Sequence, residues 1–183
     1  MLYITIPEQE VFDEATQSII AVKSTRLQLE HSLVSVAKWE AIWKKSFLEN
    51  ADKMNQEEFI SYVECMTITQ NTNPAVFNLL TQDDIYKINV YINEPMTATT
   101  FTNRDPNQNN GKKQIITAEI IYYWMTTQNI WKECEKWHLN RLMALIRVCS
   151  IKNAPPKKMS KAETMARHKA ANAKARARSR GGL

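Results

Sequence analysis

Two adjacent prolines, Pro155 and Pro156, divide this sequence into two parts of opposite charge. Proline lacks a backbone N–H and clashes with the preceding helical turn, so a helix that reaches this point has to end. Beyond the prolines, residues 157–183 contain nine Lys or Arg and one acid, a net charge of +8. The whole chain carries +5, which leaves residues 1–156 with −3. The sequence therefore predicts a mildly acidic body and a basic tail over residues 155–183.

The composition allows a hydrophobic core and disfavours two common nucleotide-binding motifs. Hydrophobic residues make up 44% of the 183 residues, which is ordinary for a globular domain. The chain has three glycines, and two of them, Gly181 and Gly182, lie at its C-terminal end. Walker and dinucleotide-binding loops need glycine where the backbone approaches phosphate closely, so the sequence argues against both.

The apolar pattern predicts neither a membrane span nor a secretory signal. The longest unbroken apolar run, at residues 120–125, is far shorter than the roughly 18 residues of a membrane-spanning helix. The opening MLYITIPEQE lacks the basic start and apolar segment of a signal peptide. The three cysteines, Cys65, Cys134 and Cys149, are widely spaced and form no C-x-x-C motif, which favours reduced thiols. We therefore expect a cytoplasmic protein that does not associate with membranes.

Residues 1–32 have the alternation and the β-branched composition of a small antiparallel sheet or hairpin. Strand-like runs occupy residues 2–6, 19–22 and 25–30, and residues 12–15 offer a polar turn. This segment is predicted to be the β-rich start of the body.

Residues 33–154 have the apolar period of a helical body, for which we predict a bundle of about six helices. The helices are expected at residues 33–48, from Asn55, from Pro74, from Thr81, at 117–129 and at 131–151. A polar loop is expected near residues 97–113, whose flanks at 97–102 and 112–116 are candidates for a second hairpin. The predicted fold class is thus α+β and predominantly helical, ending in a basic C-terminal helix or tail.

No group of residues predicts a reaction centre. Cys134 and His138 lie four apart on a predicted helix, but zinc needs further ligands that the sequence does not supply. A cysteine nucleophile paired with His31 or His138 is disfavoured, because each cysteine lies in an apolar stripe where a thiol stays protonated. The paired acids Glu57-Glu58 and Asp83-Asp84 are explained by the dipole of a helix first turn. We predict no catalytic, cofactor-binding or metal-binding residues.

Two kinds of residue are candidates for partner binding. Trp131 and Trp137 flank a predicted helix start, and tryptophan is enriched at protein interfaces, although core packing is the alternative for each. The basic tail supplies the remaining candidates: Lys157, Lys158, Lys161, Arg167, Lys169, Lys174, Arg176, Arg178 and Arg180. The tail has Met165 as its only large apolar residue within the predicted helix, so it cannot bury a core face. It is predicted to contact a polyanion or to remain solvated.

Several stretches of the sequence resemble a family of small proteins from tailed bacteriophages of the siphophage type. They are I-I-T-A-E-I-I-Y-Y-W-M at 115–125, K-W-H-L-N-R-L at 136–142, L-I-R-V-C at 145–149, K-N-A-P-P-K-K-M-S at 152–160, L-E-H-S-L-V-S-V-A-K-W-E at 29–40 and C-M-T-I-T-Q-N at 65–71. This family is associated with the role of tail assembly chaperone, and the similarity covers most of the body.

The resemblance implies a protein that performs no covalent chemistry. It would bind the long helical tape measure protein in the host cell cytoplasm and suppress its aggregation while the tail tube polymerises. The tail tube protein is a second candidate partner. An oligomer is expected. Two alternatives stay open at this point. One is a nucleic-acid-binding accessory protein that uses the basic tail, and the other is a structural virion component such as a connector or tail protein.

Overall fold

The computed structural model describes residues 1–13, 18–101, 114–154 and 161–180. These residues form a mostly helical α+β fold, which confirms the predicted fold class. The chain divides into two compact units, Met1–Ser150 and Ile151–Leu183. Among the described residues, no helix combines the length and the apolar character that crossing a bilayer requires.

The N-terminal strands form one long antiparallel hairpin with a single register. They are β1 (Leu2–Ile6), β2 (Gln9–Asp13), β3 (Ser18–Val22) and β4 (Thr25–Leu29). β1 pairs with β4 and β2 with β3, and the two residue numbers add to 31 in every pair. Pro7 lies in the interruption between the two ladders, where it has no N–H to donate to a neighbouring strand. Phe12 and Asp13, predicted as part of a turn, belong to β2, and the rest of that predicted turn lies outside the described residues.

One face of the β1–β4 ladder packs into the core, and the other faces solvent. Ile4, Ile6, Leu27 and Leu29 alternate along the two strands and are buried, as the two-residue period of a strand requires. On the opposite face, the Arg26 guanidinium lies 4.3 Å from the centre of the Tyr3 ring.

Helix α1 (Leu33–Trp43) begins where the sequence predicts and ends earlier. Ser32 caps it, since its side chain accepts from the Ser35 N–H and the Ser35 hydroxyl accepts from the Ser32 N–H. The predicted extension to residue 48 is wrong, because the chain leaves the helix at Lys44 with a left-handed φ of 56°. It resumes as the short helix α2 (Phe47–Asn50), which a 3₁₀ turn at Ala51–Lys53 follows.

Glu40 explains the position of this break. Its side chain is buried, and its two oxygens accept hydrogen bonds from the backbone N–H groups of Phe47 and Ala118, both at 2.8 Å. Each of these N–H groups belongs to the first residue of a helix, where no intrahelical acceptor is available. A single carboxylate on α1 thereby fixes the starts of two other helices.

Two helices begin where the sequence predicts, and each begins at a capping box. In α3 (Gln56–Met66), Asn55 and Glu58 exchange side-chain-to-backbone hydrogen bonds. In α4 (Gln82–Asn93), Thr81 and Asp84 do the same. The short helix predicted from Pro74 is a 3₁₀ helix at Pro74–Leu79, with Asn73 as its N-cap.

The segment predicted as one helix over residues 131–151 contains two elements. Helix α5 (Ala118–Thr127) ends near its predicted boundary, and a 3₁₀ helix at Lys132–Lys136 follows. The α-helix itself, α6, covers Leu139–Asn153. It cannot start earlier because Trp137 is extended, and the Leu139 N–H donates to the His31 carbonyl at 2.8 Å. The predicted helix start at residue 131 is therefore wrong, and Cys134 lies outside α6.

The described residues on either side of the predicted polar loop contain no β-strand, so they do not form the second hairpin there. Residues 97–101 and 114–117 have no regular secondary structure, and residues 102–113 lie outside the described part. Helix α7 occupies Lys161–Arg180, within the predicted basic tail. Pro155, Pro156, Lys157 and Lys158 also lie outside the described residues.

Candidate partner-binding surfaces

Trp131 is placed in solvent by the turn that ends α5. Asn129 adopts a left-handed φ of 53°, and the Ile130 N–H donates to the Met125 carbonyl at 2.8 Å. This reversal delivers Trp131 to the start of the 3₁₀ helix, whose first hydrogen bond runs from the Cys134 N–H to the Trp131 carbonyl. The Trp131 side chain is 79% exposed. Tryptophan side chains are usually buried in a core or an interface, so Trp131 remains a candidate residue for binding a partner protein.

Trp137 occupies a different environment. It is half-buried against the core, and the Arg141 guanidinium lies 4.2 Å from the centre of its ring. A cation at this distance is attracted by the π face and covers it. Trp137 therefore presents less apolar surface to a partner than Trp131 does.

Helix α4 carries an exposed apolar pair that sequence reasoning missed. Tyr86 and Val90 are 68% and 51% exposed, and their four-residue spacing places them on one face of the helix. Together with Asn89, Asn93 and Glu94 they line a shallow concavity along this side of the helix, open to solvent, which we name the α4 groove. The core-facing side of the same helix is occupied by Ile88 and Tyr91. The sequence of α4 contains two apolar stripes, and the core needs only one of them. The second stripe could therefore have been predicted to be exposed.

The C-terminal end of the α4 groove is held by the start of α6. The Asn140 amide donates to the carbonyls of Ile92 at 3.0 Å and Glu94 at 2.9 Å. His138 Nε2 lies 2.9 Å from the Tyr91 carbonyl oxygen. These contacts tie the C-terminal end of α4 to the chain that follows Trp137.

Behind these surfaces, two histidines meet in the core. The ring centres of His31 and His138 are 4.9 Å apart, and His31 Nδ1 lies 2.5 Å from the Tyr62 hydroxyl oxygen. Burial, together with the neighbouring His138, lowers the pKa of His31 to about 3. Burial also lowers the pKa of His138 and raises that of Tyr62. Both imidazoles are therefore neutral at physiological pH, and they join β4, α3 and the start of α6.

Cys65 and Cys134, considered as nucleophiles or metal ligands, pack in or against the hydrophobic core. Cys134 is buried in the 3₁₀ helix, and burial raises the pKa of its thiol. Burial likewise raises the pKa of Cys65. A raised pKa disfavours the nucleophilic thiolate. Within the described ranges, no group of three His, Cys, Asp or Glu side chains could hold a metal ion.

The basic candidates that the structure describes belong to α7. Lys161, Arg167, Lys169 and Arg176 are exposed, and the helix also contains Lys174, Arg178 and Arg180. The tryptophan candidates belong to the unit Met1–Ser150, so the structure assigns the two kinds of candidate to separate units.

Comparison of the chain with protein-family models, with curated proteins and with solved structures found no match.

Proposed function

We propose that this protein is a non-enzymatic assembly factor of bacteriophage tails, which binds and solubilises the tape measure protein in the host cytoplasm. The observation that carries the proposal is the exposed apolar surface that Trp131 and the α4 groove contribute to the unit Met1–Ser150. The sequence resemblance to tail assembly chaperones supplies the identity of the client.

The α4 groove suits a helical client better than an extended one. An amphipathic helix binds through apolar side chains spaced three or four residues apart, which need an apolar groove with polar edges. Tyr86 and Val90 supply the apolar floor, and Asn89, Asn93 and Glu94 supply polar groups at the border. A long helical protein that lacks its tail tube exposes many such apolar faces. Covering them one segment at a time requires several copies, in keeping with an expected oligomer.

Co-expression with the tape measure protein of the same phage tests the proposal. The client is expected to remain in the supernatant and to co-purify with this protein, and to aggregate when it is expressed alone. Equal client solubility with and without this protein would refute the proposal. Detection of the protein in purified virions at a fixed stoichiometry would instead favour a structural component of the particle.

Replacing Trp131 by alanine is expected to weaken client binding by about 30-fold, in the range of an interface hot spot. The free energy of unfolding should change by less than about 0.5 kcal/mol, because the side chain is 79% exposed. Titration of purified protein with a labelled client segment measures the first quantity, and urea unfolding measures the second.

The paired variant Tyr86→Ala with Val90→Ala is expected to weaken binding in the same assay. Met165→Ala provides the matched control, since Met165 is 77% exposed on α7 and lies outside both surfaces. If Met165→Ala weakens binding as much as Trp131→Ala, exposed apolar area alone explains the interaction and the two proposed surfaces have no special part.

A further inference from the structure

We propose that α7 binds duplex DNA without sequence specificity, by lying in the major groove with a row of cations directed at each phosphate backbone. This activity is separate from client binding and does not depend on it. The partner is identified by three features of Lys161–Arg180: its charge, the register of that charge along the helix, and the small residues between the charged positions.

The charge of α7 is almost entirely of one sign. The helix contains seven Lys or Arg and a single acid, Glu163. From Arg167 to Arg180 it holds six cations and no acid over about 20 Å of helix. Duplex DNA presents about one negative charge per 1.7 Å of axis, so the densities of opposite charge are comparable in scale. The side chains of α7 that the structure describes are exposed.

The register of the cations divides them into two rows. At about 100° per residue, positions 167, 174 and 178 share one side of the helix, and positions 169, 176 and 180 share another about 160° away. Each row has the same spacing of seven and then four residues.

Alanine fills the face between the rows. The positions on this face are Ala166, Ala170, Ala173 and Ala177. A helix with ordinary side chains is about 10–12 Å across, and the B-form major groove is about 12 Å wide. An alanine face would let the helix approach the floor of that groove, with one row of basic positions on the side of each backbone. Alanine makes no hydrogen bond to a base edge, and binding should therefore not depend on sequence.

The same features argue against other nucleic acids. Proteins that bind single strands stack bases on aromatic rings, and α7 contains no Phe, Tyr or Trp. The major groove of A-form RNA is too narrow for side chains to enter. Duplex DNA is thus expected to bind most tightly, then duplex RNA and single strands.

Titration of the full chain with a fluorescent mixed-sequence DNA duplex tests the proposal. With about six phosphate contacts, the affinity should fall about 1,000-fold between about 50 mM and 200 mM salt. Parallel titrations use duplex RNA, single-stranded DNA and polyglutamate. Tighter binding of either alternative nucleic acid would overturn the groove geometry. Binding of polyglutamate as tight as that of the duplex would indicate an acidic protein as the partner instead.

Two triple variants test the rows separately. One variant has glutamine at positions 167, 174 and 178, and the other has glutamine at 169, 176 and 180. Each removes about three phosphate contacts, so each should halve the slope of log affinity against log salt concentration. Glutamine is a good helix former, and circular dichroism checks that the helix remains. Arginine-to-lysine replacement at 176 and 180 keeps the charge and should retain the slope.

The matched control removes the same charge from the other unit. Lys23→Gln, Lys38→Gln and Lys53→Gln change exposed lysines of Met1–Ser150 and should leave duplex binding unchanged. Ala170→Gln with Ala173→Gln keeps the charge but fills the alanine face, and should weaken duplex binding. An equal effect of the lysine control, or no binding by the native chain at low salt, would overturn the proposal. Client solubilisation by the row variants should stay intact, which separates this inference from the proposed function.

Discussion

Replacement of Glu40 by alanine is expected to lower the free energy of unfolding by about 3–6 kcal/mol, the loss of two hydrogen bonds to a charged acceptor. The N–H groups of Phe47 and Ala118 would lose their acceptor inside the protein, and water cannot easily replace it because Glu40 is buried. Both are first residues of helices, so α2 and α5 would lose their anchor on α1 together. Urea unfolding followed by tryptophan fluorescence measures the effect.

Glu40→Gln should lower the free energy of unfolding less than Glu40→Ala does, but more than a substitution of an exposed residue. The amide retains one oxygen that can accept from one N–H, and its NH₂ group faces the other donor. Glu64→Ala is the matched control, because that side chain on α3 is exposed. A loss below about 1 kcal/mol for Glu40→Ala would show that the two helix starts are held by other contacts.

Acidification is expected to destabilise the unit Met1–Ser150 through His31. The pKa of His31 is about 3 in the folded protein, whereas in the unfolded chain it has its ordinary value of 6.5. The unfolded state therefore holds more protons below pH 6.5, and stability falls as the pH drops towards 3. At about pH 4.5 the loss from His31 alone is about 2–3 kcal/mol. His138, whose pKa is also lowered by burial, acts in the same direction.

The pH dependence of the urea midpoint measures this effect. His31→Gln removes the titrating group, so the fall in stability between about pH 6.5 and pH 4.5 should become shallower. The variant is expected to be less stable at pH 7, since His31 contacts Tyr62 and Phe47, but the slope is read independently of that offset. His168→Gln on α7 is the control. An unchanged slope in His31→Gln would contradict a neutral buried imidazole.

Local signals in the sequence predicted the parts of this fold that depend on neighbouring residues. The capping pairs Asn55–Glu58 and Thr81–Asp84 are complete within four residues, so the helices begin where expected. The hairpin alternation likewise follows from adjacent side chains. Neither depends on how the remainder of the chain packs.

The sequence did not predict the end of α1 or the start of α6, because contacts between residues far apart in the chain determine both. The end of α1 depends on Glu40, whose second oxygen binds Ala118 across 78 positions of the chain. The late start of α6 depends on the hydrogen bond from Leu139 to the carbonyl of His31. In both places helix propensity favours continuation, and a tertiary hydrogen bond overrides it.

The partner surfaces were predictable only in part. Trp131 was identified from its residue type, but its exposure depends on the left-handed turn at Asn129. Tyr86 and Val90 required knowledge of which stripe of α4 the core uses. Periodicity identifies apolar faces, whereas packing determines which of them remain exposed.

Hydrogen exchange of the protein with and without the tape measure protein measures directly where a client binds. Amides of the 3₁₀ helix at Lys132–Lys136 and of α4 should exchange more slowly in the complex, because a client seated on Trp131 and in the α4 groove shields them. Amides of α7 should exchange at an unchanged rate. Protection confined to α7, or no protection anywhere in Met1–Ser150, would contradict binding of a client through the exposed apolar surface of that unit.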